Sequence, residues 1–369
     1  MKRTRIVVVA LAILMVFAAV SCKEPHTHVF DKEVASEKFL ESAATCTSKA
    51  VYYKSCECGE KGTETFAFGD VLPHEESKDF DYLYEGGELK TQTHCTVCGQ
   101  SVTTTTVTDK YEIVTPGTSK VQSYTESNTI YYFTEGEYGD MTGNDALWYR
   151  TGENITFVGD KKATFDKLEV GYHGNHDKDN PAKENSTLTV KGFNVVGTLI
   201  VRAVDKNVVI EGNDCGSIAV YPSKTSDMVV SVRNNVFDGS KKDAYKYNLY
   251  FVPEVSDYTL NVSGNVFANA TSHCIGIQGN GQGSATTAAK GFEVSGNRFK
   301  SFGTDGSNEK AAFKIWEDTK WAPASGKAMS DEAVALMDGI IANNAFECTI
   351  DGTKLVYGNF YGVVYMPKN

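Results

Sequence analysis

The hexapeptide VSGNVF, Val262 to Phe267, is the stretch that decides the fold of this chain. Close copies of it lie on both sides in the sequence. They are IEGNDC at Ile210–Cys215, VRNNVF at Val232–Phe237, VSGNRF at Val294–Phe299 and IANNAF at Ile341–Phe346. With two weaker copies, the Gly or Asn that marks the turn falls at positions 159, 192, 212, 234, 264, 296 and 343. A short unit repeated with insertions of variable length is typical of a solenoid.

Each position of the repeat has a structural role in a stack of coils. Alternation of apolar and polar residues predicts that Leu260 and Val262 point inward. Gly264 tolerates the left-handed backbone that turns the strand. Asn265 is expected to lie next to the Asn of the adjacent coil and to hydrogen-bond to it and to the turn backbone. Phe267 then returns to the core, and neighbouring coils must stack because one coil cannot bury its apolar face alone.

In these repeats the chain resembles the right-handed parallel β-helix proteins of the pectate-lyase-like class, from roughly Thr129 to Met366. The shortest spacings between turns, 20 and 22 residues, are near one coil of that family, and the longer spacings imply inserted loops. We therefore expect an all-β chain with a right-handed parallel β-helix over residues 129–369. A β-sandwich with repeated Gly-Asn turns is the alternative, but its hairpins would not keep an inward Asn in one register five times.

The N-terminal segment has the features of an export signal. Three basic residues in the first five positions precede an apolar run of 15 residues, Ile6–Val20, which is short for a membrane span. The sequence AVSC at Ala19–Cys22 resembles a bacterial lipobox, in which the cysteine, here Cys22, is acylated and becomes the mature N-terminus. The resemblance implies a signal peptide over 1–22 and a lipid-anchored protein of the bacterial cell envelope, at the surface or facing the periplasm. A plain secretory signal cleaved near Ala19 is the alternative.

The charge of the chain restricts its partners. The formal net charge is −11, and removal of the three basic residues of the signal takes it to −14. Such acidity argues against binding to nucleic acid and against electrostatic attraction to anionic lipid. The expected partners are the membrane, through the lipid anchor, and a polysaccharide or host-surface ligand.

Residues 23–110 differ from the repeats, because they hold five of the nine Cys and four of the seven His. Thiolate and imidazole ligands at these spacings suit tetrahedral zinc, and the CTVCG turn that ends at Gly99 is a zinc-knuckle sequence. The segment resembles the small zinc-ribbon-like Cys/His repeats found in tandem on secreted bacterial proteins. The candidate metal ligands are His28, Cys46, Cys56, Cys58, His74, His94, Cys95 and Cys98.

Disulfides are an alternative to zinc in this module, because an exported location permits them, and free thiols are a third. Five cysteines cannot all pair within the module, which favours a metal. Some cross-link is needed, since units of about 40 residues cannot hold a core alone. Zinc with full Cys/His coordination would be structural rather than catalytic. The candidate groupings are Cys46, Cys56 and Cys58 with His28 or His74, and Cys95 and Cys98 with His74 or His94.

Residues 111–128 are predicted to be a linker. The longest spacing between turns, 47 residues, contains Trp316 and Trp321, which are candidate carbohydrate-binding residues. The alternative is that they pack against the β-helix together with a short helix. That helix is predicted to begin after Ser330, a favourable N-cap residue, and to run to about Met337.

The resemblance to β-helix enzymes implies clustered carboxylates on the outer face of a sheet if this chain cleaves acidic polysaccharide. The outward positions of the repeats form neither an acidic pair nor a basic ladder; they hold Lys191, Glu211, Arg233, Ser263, Ser295 and Ala342. Fold resemblance alone does not supply an activity. We therefore expect a non-catalytic scaffold or binding protein, for glycan or host surface. A polysaccharide lyase or glycoside hydrolase is the alternative.

Overall fold

The computed structural model describes residues 27–117, 126–149, 154–172, 186–223, 225, 227–255, 257–278, 289–302, 311–316, 330–347 and 363–365. The predicted signal peptide with Cys22, and Trp321, lie outside the described residues. The chain divides into two compact units. Unit 1 comprises the described residues up to Asp81 together with Thr91–Thr105, and unit 2 comprises Tyr82–Lys90 and the described residues from Thr106 onward.

Short strands make up the N-terminal part of the chain, and those of the first sheet are antiparallel. The first three form one sheet in the order β1-β2-β3, and the next three form a second in the order β4-β5-β6. A 3-10 turn at Glu37–Phe39 precedes them, and it buries Phe39. The strands are β1 Leu40–Ser42, β2 Ala50–Ser55, β3 Lys61–Phe68, β4 Glu76–Glu85, β5 Glu88–Cys95 and β6 Ser101–Thr106.

The remaining strands form two long sheets in unit 2. A second 3-10 turn lies at Gly143–Asp145, and one α-helix, α1, spans Asp331–Ala342. The strands are β7 Lys110–Val114, β8 Thr129–Phe133, β9 Gly136–Met141, β10 Leu147–Tyr149, β11 Asn154–Gly159, β12 Ala163–Tyr172, β13 Thr187–Lys191, β14 Asn194–Ala203, β15 Asn207–Glu211, β16 Asp214–Pro222, β17 Val229–Arg233, β18 Val236–Asp238, β19 Leu249–Phe251, β20 Thr259–Ser263, β21 Val266–Ala268, β22 His273–Gln278, β23 Gly291–Ser295, β24 Arg298–Phe299, β25 Ala311–Trp316, β26 Ala345–Phe346 and β27 Val363–Tyr365.

Both sheets are built from strands that pair with the strand one coil away. Sheet A runs β23-β20-β17-β15-β13-β11-β8-β7, and all its pairs are parallel. Sheet B has 13 strands, also parallel except where β27 pairs antiparallel with β25. Long parallel sheets with this register are those of a β-solenoid, and they confirm the expected all-β class. β7 pairs with β8 in sheet A, so part of the predicted linker is strand.

The repeated asparagines form a ladder along the solenoid, as the sequence predicted. The backbone N–H and side-chain N–H of Asn265 both donate to Asn297 Oδ1, at 2.9 Å each. Asn213 bonds to Asn235 in the same way, Asn235 to Asn265, and Asn297 to Asn344. Each amide also donates to a carbonyl of the preceding coil, so these buried polar groups are satisfied inside the core.

The phenylalanine two positions after each of the last four asparagines of the ladder forms a second internal row. Phe237 stacks on Phe267 with ring centroids 4.7 Å apart. Phe267 stacks on Phe299, and Phe299 on Phe346, at 5.0 Å each. The turn residue before the Asn has positive φ, as expected, at Gly264 and even at the non-glycine Asn234. The repeat therefore specifies one layer of core per coil.

Helix α1 begins where the sequence predicted and extends further. The Ser330 side chain accepts a hydrogen bond from the Ala333 N–H, which makes it the N-cap. The helix continues past Met337 to Ala342 and buries Ala333, Met337 and Ile340 against the core of unit 2. Over the described residues, we find no helix with the length and apolar character needed to cross a membrane.

Candidate functional site

The turn between Cys95 and Cys98 presents two sulfur atoms in unit 1. Strand β5 ends at Cys95, and the chain then folds back so that the Gly99 N–H donates to the Cys95 carbonyl at 2.9 Å. The Cys95 N–H donates to the Gln100 carbonyl at 2.8 Å. Gly99 has φ +73°, a left-handed conformation that favours glycine and closes the turn. This is the geometry expected of a metal knuckle.

Two distant segments bring further ligand atoms to this turn. Cys46 Sγ lies 3.7 Å from Cys95 Sγ, and Cys98 Sγ lies 3.4 Å from His74 Nδ1. Backbone hydrogen bonds fix the segment that carries His74 at both ends: the Leu72 N–H donates to the Thr45 carbonyl, and the Thr96 N–H to the Glu75 carbonyl. The ligand atoms of Cys46, His74, Cys95 and Cys98, named here the four-ligand group, all lie within 4.8 Å of one another and could hold a metal ion.

Hydrogen bonds within the four-ligand group favour the thiolate form of Cys95, which is the form that binds a cation. The backbone N–H of Cys98 donates to Cys95, and with the His74 side chain and the Val97 N–H it lowers the pKa of the Cys95 thiol to about 6. The Cys95 thiolate is therefore well populated at neutral pH. The hydrogen bond with the Cys98 side chain, together with burial, raises the pKa of Cys46 to about 11. A bound cation would have to displace the proton of Cys46, so binding should release protons.

A second set of ligand atoms lies elsewhere in unit 1. His28 Nδ1 is 3.3 Å from Cys56 Sγ and 3.2 Å from Cys58 Sγ, and these three residues, named here the three-ligand group, could also hold a metal ion. The Gly59 N–H donates to the Cys56 carbonyl, and the Glu60 N–H points at the Cys56 sulfur at 3.3 Å. The two sulfur atoms of this group are joined as a disulfide, Cys56–Cys58.

The structure groups the ligands differently from either expected grouping. Cys46 lies with His74, Cys95 and Cys98 instead of with Cys56 and Cys58. Spacing along the sequence favoured a group of Cys46 with Cys56 and Cys58. In the structure, β4 and β5 bring the chain back so that Cys95 and Cys98 lie beside Cys46. His94 is in neither group, because its Nε2 faces Asp81 Oδ2 at 3.3 Å. Among the described residues, Cys46, Cys95 and Cys98 are free thiols, so the disulfide alternative applies to the three-ligand group alone.

A different kind of surface lies on the outer face of sheet B, within unit 2. Val220 and Phe251 point into the core, so their neighbours Tyr221 and Tyr250 point outward. The rings of Tyr221 and Tyr250 are 6.3 Å apart, edge to face. The guanidinium of Arg202, which pairs with Tyr221 across adjacent strands, lies 4.8 Å from the Tyr221 ring.

The loop between β18 and β19 adds two more rings to this face. Tyr245 stacks on Tyr250 at 5.0 Å, and Tyr247 lies 5.2 Å from Tyr250. Tyr245 is 39 % exposed, whereas Tyr247 is buried against Gly276. The loop is held to the sheet because the Tyr245 N–H donates to the Ser217 hydroxyl at 2.8 Å. We define the aromatic surface as Tyr221, Tyr245, Tyr247 and Tyr250 with Arg202.

Three carboxylates are buried among the described residues of unit 2, and each has a structural partner. Burial raises the pKa of Asp205 to about 6, against the opposing effect of its hydrogen bonds. The other two carboxylates, Glu169 and Glu211, each form a salt bridge with an arginine. The pairs are Glu169 with Arg202 at 2.6 Å, Glu211 with Arg233 at 3.0 Å, and Asp205 with the Tyr149 hydroxyl at 2.5 Å.

Of the two tryptophans predicted to bind carbohydrate, the structure describes the backbone position of one. Trp316 is the last residue of β25, where its backbone pairs with Gln278, and Trp321 lies beyond the part of the chain that is described. The tyrosines of the aromatic surface were missed. The sequence clusters tyrosines at 245, 247 and 250, but nothing in that cluster shows that the loop carrying Tyr245 and Tyr247 lies against sheet B.

Comparison of the chain with protein-family models, curated proteins and solved structures gave no match. The interpretation of these sites therefore rests on their geometry.

Proposed function

We propose that this protein is a lipid-anchored, non-catalytic binding protein of the bacterial cell envelope. In this proposal unit 1 is a zinc-stabilised module, and unit 2 is a right-handed parallel β-helix that binds glycan on its outer face. The observation that carries the binding role is the aromatic surface, where partly exposed tyrosine rings and a guanidinium lie side by side on a sheet.

The dimensions of the four-ligand group support zinc. In a tetrahedral site with Zn–S bonds of about 2.3 Å and Zn–N bonds of about 2.0–2.1 Å, two sulfurs lie about 3.8 Å apart, and a sulfur lies about 3.5 Å from a nitrogen. The observed separations are 3.7 Å for Cys46–Cys95 and 3.4 Å for Cys98–His74. Three thiolates and one imidazole would fill all four positions. Zinc there would cross-link distant segments and would take no part in chemistry.

The aromatic surface suits the apolar faces of pyranose rings. Tyrosine offers a wide apolar face and a hydroxyl that can donate to sugar oxygens, with little rotamer entropy to lose. Tyr221, Tyr245 and Tyr250 are at least partly exposed, and the loop and sheet already fix their positions. The Arg202 charge is neutralised by Glu169, so a neutral glycan is the expected ligand. We propose that successive sugars lie across the strands of sheet B.

The buried carboxylates favour binding over cleavage. A glycosidase needs one carboxyl group as acid and another as base or nucleophile, both facing the substrate. Glu169, Glu211 and Asp205 are buried and are bonded to Arg202, Arg233 and Tyr149. The lyase or hydrolase alternative would need other groups on the outer face.

A test combines a glycan array with product analysis, using the chain without residues 1–22. We expect retention of a subset of neutral polysaccharides, with neither new reducing ends nor unsaturated products. Tyr221→Ala and Tyr245→Ala should each weaken binding by roughly tenfold, which corresponds to about 1.4 kcal/mol. Tyr245→Phe should bind nearly as well as the parent chain, because it keeps the ring face.

The matched control is Tyr53→Ala in unit 1, where the Lys61 ammonium lies 4.2 Å from the Tyr53 ring. That substitution removes a comparable cation–π pair away from the aromatic surface and should leave glycan binding unchanged. Loss of binding in the Tyr53 variant, or no binding by the parent chain, would contradict the proposal. Release of shortened or unsaturated sugars would favour the enzyme alternative.

A further inference from the structure

We propose that the three-ligand group is an oxidant-gated metal site. With both cysteines reduced, His28, Cys56 and Cys58 bind a thiophilic divalent cation such as zinc. When a peroxide oxidises the cysteines to the Cys56–Cys58 disulfide, the ion is released. The inference concerns unit 1 alone and does not depend on glycan binding by unit 2.

The same two sulfur atoms serve both states. Cys56 and Cys58 are separated by one residue, so their sulfur atoms can reach each other without movement of any other segment, and they are bonded as a disulfide. His28 Nδ1 lies 3.3 Å from the Cys56 sulfur and 3.2 Å from the Cys58 sulfur, close enough for all three atoms to bind one metal ion. A disulfide sulfur is not a thiolate and does not bind zinc in that form. Metal binding and disulfide formation therefore exclude each other in this group.

The four-ligand group provides an internal comparison. Cys46 and Cys95 lie 49 residues apart in the sequence and are both buried, with their sulfurs 3.7 Å apart, whereas Cys98 shares the Cys95 turn and is half-buried. It supplies four ligands, which fills a tetrahedral site. An ion held by four protein ligands leaves no coordination position open, and each thiolate of the group is bonded to it. We therefore expect this group to keep its ion under conditions that empty the other.

The three-ligand group differs from the four-ligand group in leaving one coordination position open. His28 is exposed and Cys58 is half-buried, whereas Cys56 is buried. Three protein ligands leave a fourth coordination position for water, as in zinc sites that exchange ligands. The Glu60 N–H donates to the Cys56 sulfur at 3.3 Å and fixes its position in the turn. Cys58 is thus the more accessible sulfur, and an accessible cysteine beside a second cysteine that can close the disulfide is the arrangement of a redox-sensitive pair.

The chemistry balances with peroxide as the oxidant. One thiolate attacks a peroxide oxygen, which forms a sulfenic acid and releases water after protonation. The second thiolate attacks that sulfur, which forms the S–S bond and releases a second water. In sum, two thiolates, one hydrogen peroxide and two protons give one disulfide and two waters, and the ion loses two of its ligands.

The test measures zinc release from the chain without residues 1–22, after full reduction, zinc loading and removal of excess metal. We expect about two zinc ions per chain before treatment and about one after one equivalent of hydrogen peroxide, measured with a chromogenic chelator. Peptide mapping should find the Cys56–Cys58 disulfide in the treated chain. A thiol reductant with added zinc should restore the original load.

Variants separate gating from general damage. Cys58→Ser should hold about one zinc before and after peroxide, because its three-ligand group has lost a sulfur ligand and cannot form the disulfide. Cys274→Ala, which changes a buried cysteine of unit 2, should behave as the parent chain. The proposal is overturned if the reduced parent chain holds only the zinc that Cys58→Ser retains. It is also overturned if peroxide releases both ions, or neither, from the parent chain.

Discussion

The sulfur atoms of Cys46 and Cys95 lie 3.7 Å apart although 49 residues separate them in the sequence. Cys46 precedes β2, and Cys95 ends β5, so the contact joins the segments beside two different three-stranded sheets. A metal ion at this point would tie together two sheets that are each too small to hold a core of their own.

Replacement of Cys95 by Ser should therefore unfold much of unit 1. Binding energy of a structural zinc site, about 10–16 kcal/mol in zinc-finger peptides, is folding energy, so we expect a loss of more than about 3 kcal/mol in this unit. Hydrogen exchange of the β2 and β3 amides would measure it, with zinc content determined in parallel. Cys215→Ala, which changes a buried core cysteine of unit 2, is the control and should leave zinc content unchanged. Unaltered exchange and zinc content in the Cys95 variant would refute the structural role.

Asn265 should be essential to the stability of the solenoid. Its amide accepts from both N–H groups of Asn235 and donates to Asn297, so Asn265→Ala leaves several buried polar groups unpaired. We expect the free energy of unfolding to fall by about 2–5 kcal/mol. Asn261→Ala, on the outward side of the same coil, should change it by about 0.5 kcal/mol or less. Equal effects in the two variants, measured by urea unfolding, would show that the ladder contributes nothing specific.

The phenylalanine row predicts a gradient of stability along the solenoid. Phe267 is fully buried between two stacked rings, whereas Phe346 stacks on one ring and is only partly buried. Phe267→Ala should cost about 3–5 kcal/mol, and Phe346→Ala clearly less. Thermal unfolding of both variants would rank them. A larger loss for Phe346 would contradict the observed packing.

Asp205 should make the stability of unit 2 depend on pH. Its carboxyl is 3 % exposed, and burial raises its pKa to about 6 in the folded chain, compared with about 3.9 in an unfolded one. Between these values the folded state binds more protons, so this group lowers stability as pH rises from 4 to 6. Asp205→Asn should remove that slope, a relative gain of up to about 3 kcal/mol at pH 7 compared with pH 4.

The comparison for Asp205 is between two pH profiles of unfolding free energy, so contributions from other carboxylates cancel. Asn keeps an oxygen that can accept the Tyr149 hydroxyl, which limits structural change. A difference between variant and parent that does not vary with pH would mean that the carboxyl titrates normally.

The repeat made most of unit 2 predictable, because each of its residues has one role that a neighbouring coil enforces. Asn265 and Phe267 lie where alternation and turn chemistry put them. The aromatic surface was not predictable, since Tyr245 and Tyr247 belong to an inserted loop whose path depends on contacts such as that with Ser217. The long insertions between repeats have no periodic pattern of apolar residues from which their structure could be predicted.

The ligand residues of unit 1 were visible in the sequence, but their grouping was not. Spacing along the chain placed Cys46 with Cys56, whereas the β4–β5 hairpin brings Cys95 to it across 49 residues. His94 looked equivalent to His74, yet it faces Asp81 instead. Local sequence identifies a knuckle, but the partners of that knuckle are set by tertiary packing.

Zinc K-edge X-ray absorption tests the four-ligand group most directly. The chain without residues 1–22 would carry Cys56→Ser and Cys58→Ser, so that zinc can enter one group only. We predict about three sulfurs at about 2.3 Å and one nitrogen at about 2.0–2.1 Å around each zinc. A shell dominated by oxygen, or a chain that binds no zinc and instead joins Cys46 to Cys95 as a disulfide, would contradict it.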